Sequence, residues 1–326
     1  MGWKGTVRSI RATARKIERE AKRREKELAR QRKEYEKMQA LEQAAYEVEV
    51  FENYIDRIQS MHKESSETLN WESILKQAPP IKPTQSSENE AKAKLELNQF
   101  KPNFFQNLFK KTEKITSDLE NAIEAAKQTD KDDYEMALKE YEVEKSEWEA
   151  TRILAQKVID LDSEALIEII KEYGSFNEID DLGTHLNFSI EGKVVAVEIN
   201  VHGEDIIPSE SKSLLKSGKL SVKKMAKGVY YELYQDYVCS CILRIAREVF
   251  ALLPIKMVTI TAIDEILNSS TGHLEKQPIL SVLIPRKTLD KLNMDMIDPS
   301  DSMTNFVHNM SFKKTKGFKT VEKVQA

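Results

Sequence analysis

A chain of 326 residues is long enough for two domains. Fifty Lys and Arg against 54 Asp and Glu leave a net charge of −4, which excludes a chain that is basic or acidic throughout. Ten glycines and nine prolines are about half the usual share, too few for the turns of a barrel, sandwich or propeller, so helix must dominate.

The first segment, residues 3 to about 70, predicts one long helix. Trp3, Val7, Ile10, Ala14, Ile17 and Ala21 recur at alternating steps of four and three, and the seam continues through Leu28, Tyr35, Met38, Leu41, Ala45, Val48, Phe51, Ile55 and Ile58. A narrow apolar stripe at that period with charge elsewhere is the pattern of a coiled coil, which needs a partner to cover it. Residues 1–37 hold fourteen Lys and Arg against six Glu, a net of +8. The first acid is Glu18, so Lys4, Arg8, Arg11, Arg15 and Lys16 stand unopposed at the tip, with Arg19 just beyond. An array of this kind can follow a phosphate backbone or lie on an anionic membrane surface. The bland alternative is a solvated arm kept soluble by its charges.

Three prolines within residues 79–83 stop the helix, and residues 77–90 read as a loop. A short helix to about Gln99 follows. Next come a helix entered at Pro102, carrying Phe105, Leu108, Phe109, Ile115 and Leu119, and another capped by Asp130, with Tyr134, Leu138, Tyr141 and Trp148 as its stripe. Helices folding back on one another make a coiled-coil hairpin or bundle over residues 1–160.

Beyond about residue 162 the pattern is mixed. Only Gly2 and Gly5 precede residue 174; the other eight glycines are Gly174 and those beyond it. Asp162 and Ser163 cap a helix ending at Gly174, and residues 186–190 and 193–201 alternate around Glu191 and Gly192 as a hairpin. Residues 221–253 read as helix, 257–262 and 279–284 as strands, and 285–292 and 299–306 as short helices. The fold class expected is therefore α+β: a long N-terminal helical arm followed by a mixed α+β sandwich over residues 162–326.

Candidate chemistry is sparse. Val195, Val197, Ile199 and Val201 share one face of the second hairpin strand, and Glu198, Asn200 and His202 the other. An acid on a sheet face, with Asp180 and Asp181 upstream and a long helix downstream, loosely resembles the core of restriction-endonuclease-like nucleases. The resemblance implies a metal held by an Asp and a Glu, here Asp181 and Glu198, with a Lys two residues after the Glu. Position 200 is Asn, so the most diagnostic member is replaced. The long helix over 229–253 carries polar residues at 232, 236, 240, 244 and 248, a single stripe on an otherwise apolar surface. Residues 312–323 interleave five lysines with Phe312 and Phe318, a basic and aromatic tail that favours an anionic partner.

Cys239 and Cys241 point away from each other on that helix and read as core hydrophobes, which favours a reducing, cytoplasmic setting. The histidines are scattered, no phosphate loop or nucleophile elbow is present, and neither a metal centre nor a cofactor is expected. The leading expectation is an interaction or scaffold protein, more a binding protein than an enzyme. It self-associates or docks a protein partner through the arm and touches nucleic acid or an anionic membrane with the basic tip. A metal-dependent nuclease-like enzyme around Asp181, Glu198 and Asn200 is the alternative.

Overall fold

The computed structural model describes residues 3–102, 112–176, 185–191, 194–267 and 270–325, with side chains from Lys26 onward except those of Glu191 and Glu204. It shows the expected α+β class: a long N-terminal helix, a second long helix and a mixed six-stranded sheet. Two compact units are present. One joins residues 1–68 to 169–326, and the other is residues 69–168. No helix among the described residues is long and apolar enough to cross a membrane.

In the larger unit, helix α1 (Trp3–Ser60) runs 58 residues, about 87 Å. It has two regimes. Every residue from 26 to 40 is exposed, whereas Ala44, Val48 and Ile58 are buried. Ala44 takes the inward position that the seam assigns to Ala45, because a face that packs broadly follows a 3.6-residue period. A 3-10 turn, Met61–Lys63, closes α1.

The smaller unit opens with α2 (Trp71–Leu75), whose first turn is capped by the Asn70 side chain accepting from the Ser73 amide at 3.0 Å. Helix α3 (Glu88–Gln99) packs along α4 (Thr112–Ile159), a single helix of 48 residues. The expected break at Asp130 does not occur. Asp130 does cap a helix, but the one beside it: its buried carboxylate accepts the Asn89 and Glu90 amides at 3.2 and 2.9 Å, at the start of α3. Phe105, Leu108 and Phe109 lie outside the described residues. Leu161, at φ 60°, turns the chain out of α4, and Asp162 then caps α5 (Ser163–Tyr173), within which the boundary between the units falls.

The sheet has the order β1-β2-β5-β6-β7-β8. Strands β1 (His185–Glu191) and β2 (Val194–Asn200) form the expected hairpin, with Gly192 of its turn outside the described residues. A short helix α6 (Gly203–Ile206), a separate hairpin of β3 (Glu210–Leu214) and β4 (Leu220–Lys224), and helix α7 (Lys227–Leu252) then cross over to β5 (Met257–Leu267), parallel to β2. Strand β6 (Leu274–Pro285), the short helices α8 (Arg286–Leu289) and α9 (Pro299–Ser302), β7 (Val307–Lys313) and β8 (Gly317–Lys319) complete the unit, with antiparallel pairing throughout.

Two sequence expectations fail here. Residues 220–224 are strand, because their neighbours are the paired residues 210–214 and not α7. Residues 312–319 are not a tail: Phe312 and Phe318 face each other across β7 and β8 with ring centroids 5.1 Å apart, and Phe318 is buried against Tyr234 of α7. Gly317, at φ 73°, makes this possible, since a Cβ there would stand 2.7 Å from the Tyr231 ring.

Helix α7 organises the unit. Eighteen of its 26 residues are buried, Cys239 and Cys241 among them, and burial pushes the Cys241 thiol up to about 12. Its stripe at steps of four receives the chain leaving α1. Gln59 donates to Asp236 at 3.0 Å, and the His62 amide and Nδ1 both meet the Ser240 hydroxyl at 3.0 Å. Ser66 donates through its amide and hydroxyl to Glu248 at 3.1 and 2.6 Å. Glu248, fully buried, also accepts Arg244 at 2.5 Å and the Ser175 amide at 3.0 Å. Burial alone would raise its pKa, but the bonds from Ser66, Arg244 and Ser175 outweigh that and hold it below the ordinary carboxylate range.

Glu248→Gln removes the charge facing buried Arg244 and is expected to cost about 3–5 kcal/mol, read as the urea midpoint of the full chain. Because residues 26–40 are exposed whereas Gln59, His62 and Ser66 bond the buried stripe of α7, removing residues 1–38 should leave the melting temperature of the larger unit unchanged, whereas removing residues 1–66 should abolish its cooperative unfolding.

The buried His62 supplies a pH dependence. Its Nε2 lies 3.0 Å from the Met294 carbonyl, which can only accept, so the neutral ring carries its proton there. Burial lowers its pKa below the ordinary 6.5. The unfolded chain therefore binds the proton first as pH falls, and stability drops below about pH 6.5. Thermal unfolding between pH 7.5 and 5 should show this loss, and His62→Gln should flatten it.

Candidate functional site

The sheet has two chemically opposite faces, and β2 shows why. Val195, Val197 and Ile199 alternate inward and are buried beside Val258, Ile260 and Ala262 of β5. The residues between them form the other face, where one row runs across five strands: Asn187, Glu198, Thr261, Ser281 and Asn309. Every member is polar.

Residues 320–325 lie along that row. The Asn309 side chain donates to the Glu322 carbonyl at 2.9 Å, the Val324 amide donates to the Ser281 hydroxyl at 3.0 Å, and the Val321 amide donates to the Pro278 carbonyl at 2.9 Å. Lys323 forms a short ion pair with Glu198. The segment is thus held as a strap by both backbone and charge.

Between strap and sheet is a cleft of 450 Å³ lined by Ser189, Ala196, Glu198, Thr259, Thr261 and Lys323. Thr261 and Ser281 satisfy each other at 2.9 Å. Thr259 does not: its hydroxyl is buried without a hydrogen-bond partner among the described residues. An unmet buried hydroxyl costs about 1–3 kcal/mol, and a polar group entering the cleft recovers it. The cleft therefore offers hydroxyl donors, one carboxylate and one ammonium to a small polar molecule.

The nuclease-like set is only partly assembled. Glu198 is on the polar face as expected, with Asn200 further along the same strand, and Asp181 lies outside the described residues. A lysine does reach Glu198, but from residue 323 instead of position 200. Among the described residues no three His, Cys, Asp or Glu side chains gather as metal ligands. The basic set Lys4, Arg8, Arg11, Arg15, Lys16 and Arg19 occupies the first turns of α1; the side chains themselves lie outside the described residues, as do those of Trp3, Val7 and Ile10.

Lys323, Thr259, Thr261 and Ser281 escaped the sequence reading. The alternation of Thr259 and Thr261 with Val258 and Ile260 was legible as a two-faced strand. The pairing of Lys323 with a residue 125 positions earlier carries no local signal. Compared with known proteins, the chain matches no protein family, no curated protein and no solved structure.

The strap's hold is testable by amide hydrogen exchange. Lys323→Ala should contribute less than about 1 kcal/mol to global stability, because the pair is solvent-exposed. Ser281→Ala removes the acceptor of the Val324 amide and should speed exchange at Val324 while leaving β5 and β6 protected.

Proposed function

We propose that the protein is an interaction protein: the first half of α1 is a docking arm, and the rest of α1 is its anchor. The observation that carries this reading is the change of regime at Leu41. Residues 26–40 expose every side chain, including Leu28, Tyr35 and Met38 at 57, 63 and 59% of their full area, on the same helix that is buried further on. Their spacing of seven and three puts them on one coiled-coil seam. An isolated helix gains nothing from such a stripe until another surface covers it.

The occupant is a second copy of the chain. Two basic arms side by side would repel, so charge complementarity favours an acidic helix. The chain carries one: α4 holds thirteen acids against seven bases and exposes Met136, Val143 and Ile153 at 60, 58 and 61%. In this reading the arm of one copy lies on α4 of the next. The basic tip, Lys4 to Arg19, is then left to meet an anionic surface, nucleic acid or membrane.

Light scattering on the full chain should show an oligomer that weakens as salt rises. Leu28→Asp with Met38→Asp should give a monomer of unchanged melting temperature. Mixed Leu28→Cys and Val143→Cys chains should cross-link to each other under oxidation. A wild type that stays monomeric at low salt over the accessible concentration range would end the self-association reading. For the tip, duplex DNA and anionic vesicles are compared at two salt concentrations. Arg8, Arg11 and Arg15 changed to Ala should flatten the salt dependence by about one unit of slope per lost phosphate contact. Vesicle binding that requires Trp3 would assign the tip to the membrane.

A second reading, a metal-dependent nuclease-like centre at Glu198, has one observation in its favour: Lys323 supplies the lysine that position 200 lacks. The described donors, a single carboxylate already paired with an ammonium and several hydroxyls, do not fit a divalent-cation site, which takes several oxygen ligands with more than one carboxylate charge. DNA cleavage in the presence of magnesium, abolished by Glu198→Ala, would restore this reading.

A further inference from the structure

The cleft beside the anchor of α1 holds a different chemistry. Residues 64–68, leaving the 3-10 turn, pass over the last turns of α7 and face α8. A cleft of 240 Å³ lies between them, lined by Ser65, Ser66, Thr68, Arg247, Arg286 and Asp290, with Phe250 and Met294 among its apolar walls. Two guanidinium groups and three hydroxyls thus share one small space with one exposed carboxylate.

Both guanidinium groups are held from behind. Arg247 donates Nη1 to the carbonyls of His62 and Lys63 at 2.6 Å and to that of Glu64 at 3.2 Å. Arg286 donates Nε to the Ile255 carbonyl at 2.9 Å and Nη2 to the Phe250 carbonyl at 2.7 Å, and its guanidinium stacks 4.7 Å over the Phe250 ring. These bonds use neutral carbonyls. Among the described residues no carboxylate comes within 4 Å of either group; the nearby Glu248 is instead paired with Arg244. Nη2 and Nε of Arg247 and Nη1 of Arg286 make none of these bonds. Each arginine is therefore fixed in place with donors to spare and without an ion-pair partner.

The electrostatics agree with that geometry. Burial, and then the charge of Arg244, press the Arg247 pKa down, while Asp295 and Glu248 compensate only in part. Burial does the same to Arg286, opposed by Asp290. Half-buried cations without a paired anion form an incomplete arrangement, and a small anion completes it. Arginine forks match the oxygens of a tetrahedral oxyanion two at a time, and the hydroxyls of Ser65 and Thr68 can donate to the rest, while that of Ser66 is engaged by Glu248.

We propose that this cleft is a binding site for a tetrahedral oxyanion, either inorganic phosphate or the phosphate of a small monoester. Arg247 and Arg286 supply the charge, and the hydroxyls of Ser65 and Thr68 supply the remaining donors. The volume of 240 Å³ admits the phosphate with a small substituent. Since Arg247 also clasps the carbonyls of residues 62–64, an anion bound here ties together the turn that anchors α1 and the helix that receives it.

The test uses the full chain. Thermal unfolding is followed while chloride is replaced by inorganic phosphate, O-phosphoserine or succinate at constant ionic strength, and phosphorus NMR line widths report direct binding. Wild type should show a saturable rise in melting temperature with phosphate, with O-phosphoserine, or with both. The tighter of the two identifies the free ion or the monoester as the ligand form. Arg247→Lys keeps the charge but loses the fork, and should weaken binding about tenfold. Ser65→Asp places a carboxylate in the cleft without touching either arginine, and should abolish binding while preserving the fold. The proposal is overturned if phosphate and O-phosphoserine stabilise no more than chloride, if succinate binds as tightly as phosphate, or if Ser65→Asp binds like wild type.

Discussion

The fold depends on how helix α7 disposes of its polar stripe. A helix with eighteen buried residues cannot leave a Glu, an Arg and a Ser unsatisfied inside, since each would cost as much as a buried contact contributes. The chain leaving α1 meets this need at three points along the stripe, with Gln59 on Asp236, His62 on Ser240 and Ser66 on Glu248. Gln59 and His62, on the last residues of α1 and the 3-10 turn, meet positions one turn apart on α7, and the extended chain after Lys63 then carries Ser66 two turns further, to Glu248. Hydrogen-bond geometry makes this seam specific in register: a shift of one residue would break all three pairs at once. Apolar packing of α1 on α7 supplies attraction, and the polar pairs decide where it stops.

The same logic governs the far side of the sheet. The face toward α7 is apolar and needs no further explanation. The opposite face is a polar row from Asn187 to Asn309, deep enough in its middle that Thr261 and Ser281 are buried. They are buried because the strap of residues 320–325 covers them, and the strap stays because the row supplies an acceptor at Ser281, a donor at Asn309 and a charge at Glu198. Cover and covered face account for each other. Thr259, one row away, lines the same cleft as Lys323, and its hydroxyl has no hydrogen-bond partner among the described residues.

What could be read beforehand follows from the range of each interaction. Periodicity is local, so α1, the β1–β2 hairpin, α7 and the cores of β5 and β6 were legible in the sequence. The stripe on α7 was legible too, but only as a pattern. Its partners lie about 180 positions away, and pairing within the helix accounts for Arg244 and Glu248 alone. Asp130 was recognised as a cap and assigned to its own helix, because a capping carboxylate in sequence does not say whose amides it accepts. Strands β7 and β8 were hidden by their lysines: an edge ribbon with one solvated face has the composition of a basic tail, and only the aromatic pair Phe312 and Phe318 betrays its buried side. Of the candidate site, Glu198 was visible through alternation, whereas Lys323 and the hydroxyls became a site only once the topology brought them together.

The two regimes of α1 connect these levels. Along 58 residues the backbone geometry does not change, and the helix continues because its residues are strong helix formers with no Gly or Pro after Gly5. What changes is the partner. From Leu41 on the inward face meets the β3–β4 hairpin, where Gly218 leaves room for the Leu41 side chain and Lys212 pairs with Glu47 at 3.1 Å, and then the end of α6, where Tyr54 donates to the Ile206 carbonyl at 2.7 Å. Over residues 26–40 every described side chain is exposed, yet Leu28, Tyr35 and Met38 keep the seam's spacing. Propensity and surface charge are enough to keep a free helix soluble, and neither requires apolar residues at that spacing. An apolar seam carried past the end of its own anchor has a physical use only if a second surface covers it. The anchor on α7 also helps the free part of the helix to form, because a helix nucleated and held at one end extends at little further cost in entropy.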